Sequence, residues 1–467
     1  TRENDISFIQ PAPVEAGAAI IGPTVKGPVE IPTIVTSYND YVRKFGVTFE
    51  SGSDVHEFFT SMAVKNYFQQ GGNTCLVTRV ASGSFTEASN TNIVAGDSGD
   101  DPFVIKTIGR GTIYNNENTE NSDGSLISGS DDNLRWEISN IDNAKGTFNL
   151  IIRRGNDSRT NKVVLETFNN VNLDPNSTNY IERVVGNQYS TLATDGSQIN
   201  TTGSYVNNSN YVYISSVARP TLNYLGNDGS IREGSLSGSL PTAQSGSFTG
   251  ASGGVKDGAN LYHNINSSNT QGLIADNYSN VITLLGNKDD YNFNVISAPG
   301  IYNTDYGTTV DSLISLVETR GDAIAVVDLV PYGNTVTQAN TQAADLNSSY
   351  GASYWPWLQT QSGNSKVVWA PASVFIPGTY AFTDNSSAPW FAPAGLVRGG
   401  LTGAIQAEKK LTRSDRDSLY SNKVNPIATF PGTGLAVFGQ KTLQSKASAL
   451  DRVNVRRLLI ELKEFIG

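Results

Sequence analysis

Apolar residues along this chain recur with two different periods, and the two periods alternate in blocks. Near the amino end, Ala18, Ala19, Ile20 and Ile21 form an uninterrupted apolar run closed by Gly22, which reads as a short buried strand. A second strand is expected at 33–36. Asn39 or Asp40 is placed to cap a short helix that reaches Phe45 and closes at Gly46. Residues 54–70 carry Phe58, Met62 and the pair Tyr67 and Phe68 at helical spacing, with Asp54 as N-cap and Gly71-Gly72 as terminator. An apolar strand at 74–80 follows. A β–α–β order with short links predicts one α/β layer.

After Ala81 the pattern changes to short alternating runs between turns rich in Gly, Asn, Ser and Asp. Strands are expected at 103–108, 134–138, 147–153, 162–168 and 211–217. Gly155-Asn156-Asp157-Ser158 reads as a hairpin loop, and 181–185 as a short helix. The Gly/Ser-rich stretch 235–254 reads as either a long loop or a linker.

From Thr283 the helical and buried-strand periods return. A strand is expected at 294–297, a helix at 309–320 on Val310, Leu313, Ile314 and Val317, and a nearly all-apolar strand at 323–329. Further strands fall at 366–370 and 435–438, and helices at 395–402 and 412–419. A closing helix at 452–466 carries Val455, Leu458, Leu459, Leu462 and Phe465. The expected fold class is α/β plus β, multidomain. An arm at 1–15 leads into a discontinuous α/β domain, 16–82 and 272–467, interrupted by an outward-facing β-rich insertion at 83–271. The insertion is expected to hold two subdomains, near 97–187 and 188–271. Val295, Ile324, Val326, Val367 and Val437 are expected to be buried in one shared sheet.

Composition narrows the function classes. The chain has 467 residues, enough for about three domains. Its 38% hydrophobic content supports real cores and excludes global disorder. The formal net charge of −10 repels phosphate backbones, which argues against general nucleic-acid binding. No run of about 20 apolar residues reads as a membrane span. The opening TRENDISFIQ lacks the basic start and apolar core of a signal peptide. The single cysteine, Cys75, lies in an apolar run and reads as a buried thiol. The whole suits assembly in a reducing cytoplasm.

Candidate chemistry is sparse. The two histidines, His56 and His263, sit in unlike contexts: the first turn of an expected helix and a turn-rich region. No G-x-S-x-G accompanies either, so a hydrolase triad finds no support. Acidic loops at 97–101 and at Ser130-Asp131-Asp132 lack the D-x-D-x-D-G spacing of a calcium loop and read as solvated. Pro431-Gly432-Thr433-Gly434 has no third Gly or phosphate-binding Lys at motif spacing. Arg452, Arg456, Arg457 and Lys463 on the closing helix read as a solvated or subunit-facing side. Tyr354-Trp355-Pro356-Trp357 reads as a core or interface cluster before a sugar-stacking platform. No catalytic, cofactor or metal site is expected.

Several stretches, in order, resemble the contractile bacteriophage tail sheath family. AAIIGPTVKGPVEIPTIVT (18–36), YNDYVRKFG (38–46) and YFQQGGNTCLVTRV (67–80) are similar to the family's opening, and LDPNSTNYIERVVG (173–186) to a recurring motif in its insertion. NVISAPG (294–300), AIAVVDLVP (323–331), WAPASVFIPG (369–378), WFAPAGLVRGG (390–400) and DRVNVRRLLIELKEFI (451–466) continue the series. The resemblance implies an α/β part that is subtilisin-like by fold only, without proteolysis. It implies a structural, non-enzymatic subunit of the virion, stacked in helical rings with its neighbours around a tail tube protein, between baseplate and tail terminator proteins. Contraction of the stack would drive the tube through the host envelope. No direct nucleic-acid partner, cofactor or membrane insertion is implied. The rival readings are a surface adhesin binding glycans at Trp355 and Trp357, and an unrecognised hydrolase. The resemblance also implies that the chain is part of a longer subunit, and that alone it is a monomer.

Overall fold

The computed structural model describes residues 15–97, 99–254, 258–432 and 434–466. The arm expected at 1–15 lies outside these residues apart from Glu15, which already opens a strand. The first elements are β1 Glu15–Gly22, β2 Thr33–Val35, α1 Tyr38–Phe45, β3 Thr48–Ser51, β4 Asp54–Glu57, α2 Phe59–Gln69 and β5 Cys75–Arg79. Two expected caps move. Ser37, not Asn39 or Asp40, caps α1, its hydroxyl accepting from the Asp40 N–H at 3.1 Å. Asp54 does not cap α2 but opens β4, which pairs antiparallel with β3. Gly52, at φ 65°, supplies the left-handed residue that this tight turn needs. The helix therefore starts at Phe59, after an N-cap position at Phe58 that makes no side-chain bond.

The insertion follows as β6 Glu87–Asn90, β7 Phe103–Arg110, β8 Leu134–Asp142, β9 Thr147–Arg154, β10 Val164–Asn172, α3 Ile181–Val185, β11 Tyr189–Leu192, β12 Ile199–Thr202, β13 Val212–Val217, α4 Gly234–Gly238 and β14 Gln244–Thr249. Seven of these strands make one antiparallel sheet in the order β10-β9-β8-β14-β6-β7-β13. It draws strands from both 97–187 and 188–271, so those stretches share one sheet. In β7, Phe103, Ile105 and Thr107 are buried while the residues between them are not, the mark of a sheet covered on one face. The stretch 235–254 is neither loop nor linker, because β14 lies within the sheet between β8 and β6. Its glycine is required there: a Cβ on Gly246 would come within 2.5 Å of the Trp136 ring. The Trp136 indole donates to the Ser247 carbonyl at 3.0 Å. The chain enters and leaves the insertion side by side, the Thr86 N–H donating to the Ser252 carbonyl at 3.1 Å.

The remaining elements are α5 Ser279–Leu284, β15 Asn292–Tyr302, α6 Asn303–Arg320, β16 Ile324–Asp328, α7 Val336–Ala344, β17 Gly351–Trp355, β18 Leu358–Gln361, β19 Val367–Ala370, α8 Ile376–Ser386, α9 Gly395–Arg398, β20 Ala404–Ala407, α10 Arg413–Ser421, β21 Val424–Phe430, β22 Gly434–Val437 and α11 Val453–Ile466. They join the first elements in an eight-stranded sheet, β2-β5-β1-β15-β16-β17-β21-β22, parallel from β5 to β21 with an antiparallel strand at each edge. Ala18 pairs with Val295, and Val295 with Ile324, so residues from both ends of the chain share its centre. Successive residues of β1 and β16 are buried whichever way they point, so helices cover both faces. Val295, Ile324, Val326 and Val437 are buried in this sheet as expected. Val367 is not: it is 52% exposed on β19, in a separate three-stranded sheet with β18 and β20. The helix expected at 395–402 is only the single turn of α9. Two separate hydrophobic clusters result, one in the large sheet and one in the insertion.

Candidate functional site

The two sheets meet along a polar seam. Arg79, at the end of β5, is 2% exposed, and its Nη1 donates to the Gly27 carbonyl at 2.8 Å and to the Arg110 carbonyl, from the insertion, at 2.9 Å. The Arg110 N–H in turn donates to the Gly27 carbonyl at 3.1 Å. Lys26, itself buried, pairs with Asp132 of the insertion at 3.0 Å. Burial lowers the Arg79 pKa to about 10, because its guanidinium is solvated by carbonyls and not by a carboxylate. Cavities of about 390 and 650 Å³ flank the seam, the first walled by Tyr189, Tyr211 and Tyr213 and the second by Phe49, Arg79 and Asp132.

The acidic loops are exposed at Asp97, Asp100 and Asp131, as expected, and carry ion pairs as well. Asp97 accepts from Arg219 Nη2 at 2.9 Å, Asp131 pairs with Arg154 at 3.3 Å, and Asp132 is committed to Lys26. Within the insertion, fully buried Arg153 makes a two-pronged contact with Asp157 at 2.7 and 2.8 Å. Buried Arg135 reaches the same carboxylate at 3.4 Å. This cluster fixes the loop after β9, a structural task for charges that would otherwise be costly to bury. Among the described residues, no group of three or more His, Cys, Asp and Glu is arranged to hold a metal ion.

The histidines sit apart in role. His56 is on β4, not in a helix, with its ring between Phe49 and Tyr262 at 5.7 and 6.1 Å, and its Nδ1 is buried without a hydrogen-bond partner. His263 lies against the Tyr332 ring at 5.6 Å. Trp355 and Trp357 are both about 2% exposed and belong to the core, and the Trp357 indole donates to the Val330 carbonyl. A sugar cannot stack on rings so buried. Pro431 and Gly432 lie in the turn that joins β21 to β22. Cys75 is buried, and its thiol is pushed up by burial alone.

The closing helix reverses the expectation for Arg456 and Arg457, while Lys463 is exposed as expected and Arg452 is partly exposed. Arg456 and Arg457 point inward: Arg457 pairs with Asp384 at 2.6 Å beneath the Tyr380 ring, and Arg456 stacks on Tyr350 at 4.0 Å. Leu459, Leu462, Phe465 and Ile466 are the exposed side. Helical spacing shows that a stripe exists, but not which stripe faces in. Here Tyr350 and Tyr380 offer ring faces to the two guanidinium groups, and Asp384 offers a carboxylate to Arg457. Sequence reasoning also missed Asp328 at the end of β16. Its carboxylate, 4% exposed, accepts from the Ser373 hydroxyl at 2.5 Å and the Ser373 N–H at 3.2 Å. Burial pushes its pKa up to about 6. The only signal was an acid terminating a fully apolar strand.

Residues 255–443 match the family described as the phage tail sheath protein central domain. The tail sheath protein of Vibrio phage KVP40 is 34% identical over 158 residues, which cover 33% of this chain and 24% of that protein. The tail sheath protein of Enterobacteria phage T4 is 40% identical over 99 residues, covering 21% of this chain and 15% of that protein. These matches support a contractile phage tail sheath family for the chain. The matched stretches span a quarter or less of the length of those two sheath proteins. A crystal structure of a sheath tail protein from Listeria innocua shares the fold, with a TM-score of 0.52 at 13% identity over 96% of this chain and 74% of that one. The sheath family thus accounts for a mixed α/β chain with several sheets.

Proposed function

We propose that the chain is the structural subunit of a contractile tail sheath in a phage virion. Subunits stack helically around a tail tube protein and contract to drive the tube through the host envelope. The observation that carries this reading is the sheath central-domain match over 255–443, supported by the two phage relatives. Its partners are neighbouring sheath subunits, the tube, the baseplate and the tail terminator. An interface repeated head to tail without closure builds an open helical stack. Contraction draws its energy from better contacts in the final state, a switch between packings and not a turnover.

On this reading the α/β unit, 16–82 and 272–467, is subtilisin-like in fold only and is not an enzyme. The insertion, 83–271, faces away from the tube, where polar loops belong. Electron microscopy of the purified full chain tests the proposal. Hollow tubes support it. Monodisperse particles that bind glycans, or peptidase turnover that disappears on replacing His56 or His263, overturn it.

A further inference from the structure

One turn is built three times in the insertion. Asp-Gly-Ser recurs at 123–125, 195–197 and 228–230. In each copy the glycine N–H donates three residues back, Gly124 to the Asn121 carbonyl, Gly196 to Ala193 and Gly229 to Gly226, at 2.9–3.0 Å. Each glycine sits at a positive φ, between 70° and 79°, which glycine adopts without strain. The serine N–H and hydroxyl both donate to the aspartate, at 3.0–3.1 Å and 2.7 Å.

Local chemistry is therefore shared by the three copies, and packing is not. Gly124 is buried: a Cβ there would lie 2.3 Å from the Arg159 side chain, and the Gly124 carbonyl accepts from Arg135 Nη1 at 2.8 Å. Gly196 is buried too, with Asn280 backbone atoms 3.1 Å from the place of its Cβ. Gly229 is exposed, and nothing lies within 4 Å of the corresponding point. Its neighbours Asn227, Asp228 and Ser230 are exposed as well. A turn opens at least cost where least is packed against it.

We propose that Asp228 is a site of spontaneous backbone modification, its conversion to isoaspartate. The Gly229 nitrogen attacks Asp228 Cγ with the carboxyl in its neutral form. The amide proton and the carboxyl hydroxyl leave as water, and a succinimide ring closes. Water then adds back at either carbonyl. Addition at Cγ restores aspartate. Addition at the main-chain carbonyl breaks its bond to nitrogen, frees it as a carboxylate and leaves the chain linked through Cγ. No oxidant, metal or second protein enters. The step needs the Gly229 N–H to leave the Gly226 carbonyl, and glycine puts no Cβ in the path of the ring. The serine bonds favour the ionised carboxylate, a brake common to all three turns, so packing decides between them. The product carries one more carbon in the main chain, which disrupts the pairing of Leu225 with Ile231 across the turn. The inference does not rest on the sheath reading.

Storage of the full chain in water enriched in oxygen-18, followed by peptide mass spectrometry, tests this, because each pass through the succinimide leaves one heavy oxygen at that residue. In the folded chain, label and isoaspartate should accumulate at Asp228 several-fold faster than at Asp123 and Asp195. In urea, where packing is gone, the three sites should react at similar rates. Asp228→Glu, whose longer side chain cannot close the five-membered ring, should take up no label at that position. Asp123→Glu should leave the labelling of Asp228 unchanged. Equal rates at the three sites in the folded chain overturn the proposal. So does labelling of Asp228 in urea but not in the folded chain, or label that persists in Asp228→Glu, which would trace exchange by another route.

Discussion

Lys26 Nζ lies 3.0 Å from Asp132 Oδ1, joining a lysine buried by the large sheet to a carboxylate supplied by the insertion. The pair is one of few side-chain links across the seam, and its lysine has little water to fall back on. Asp132→Asn should therefore cost about 2 kcal/mol, the scale of a hydrogen bond to a charged group. Limited proteolysis should show faster cutting at the crossings near residues 82 and 254, with the insertion core itself still protected. Equal cutting rates in variant and wild type would mean that the seam does not hold the two units together.

Asp328 gives the chain a pH dependence of defined sign. Its folded pKa, about 6, lies above its unfolded value near 4. The folded state therefore holds the proton more tightly, and stability falls as pH rises through that window, by about 3 kcal/mol, and then levels off. Asp328→Asn keeps an acceptor for Ser373 and cannot titrate. Urea denaturation of both proteins at several pH values should show this slope in the wild type only; matching slopes would remove Asp328 as the cause.

Arg457 and Arg413 lie 44 residues apart and should respond oppositely to the same change. Arg457→Ala leaves Asp384 without its partner and opens space beneath Tyr380, and should cost about 3 kcal/mol. Arg413→Ala removes an exposed side chain and should change stability by less than about 0.5 kcal/mol. Thermal melts of the two variants decide whether α11 turns its arginines inward.

Val326 sits in the centre of the large sheet at 2% exposure. Val326→Asp puts an unpaired charge between covered faces, with a penalty of about 4 kcal/mol or more. The expected outcome is loss of soluble protein on expression. Val367→Asp, on the separate small sheet, should express and melt normally. A soluble, normally melting Val326→Asp protein would contradict the central position of β16.

The central strands were legible because both their faces are covered: Ile20-Ile21 and Ile324–Val327 announce burial by unbroken apolar runs. The antiparallel insertion was legible in part, through alternation in 103–108 and 147–153. What escaped depends on partners distant in sequence. β14 looked like a loop or a linker because its glycine yields to Trp136, more than a hundred residues away. Val367 looked like core because its run is apolar, yet its strand belongs to a three-stranded sheet with one open side. Of the candidate residues, Cys75, Trp355 and Trp357 were read correctly from their neighbours. His56 was misplaced because Gly52 turns the chain into a hairpin before the helix can begin. Asp328 showed in the sequence only as an acid ending an apolar strand, since Ser373 reaches it only in the folded chain.

Thr86 and Ser252, hydrogen-bonded where the insertion begins and ends, bear on how a ribosome can deliver this chain. β1 and β5 emerge early, but β15, the strand that completes the centre of their sheet, follows only after the whole insertion. Left open, that gap would be a long loop to close, and the exposed strand edges would be free to pair with other nascent chains. An insertion that folds as it emerges, around its own apolar cluster, draws its two ends together and shortens the gap to a few residues. The piece that interrupts the large sheet in sequence would then act as the splint that sets it.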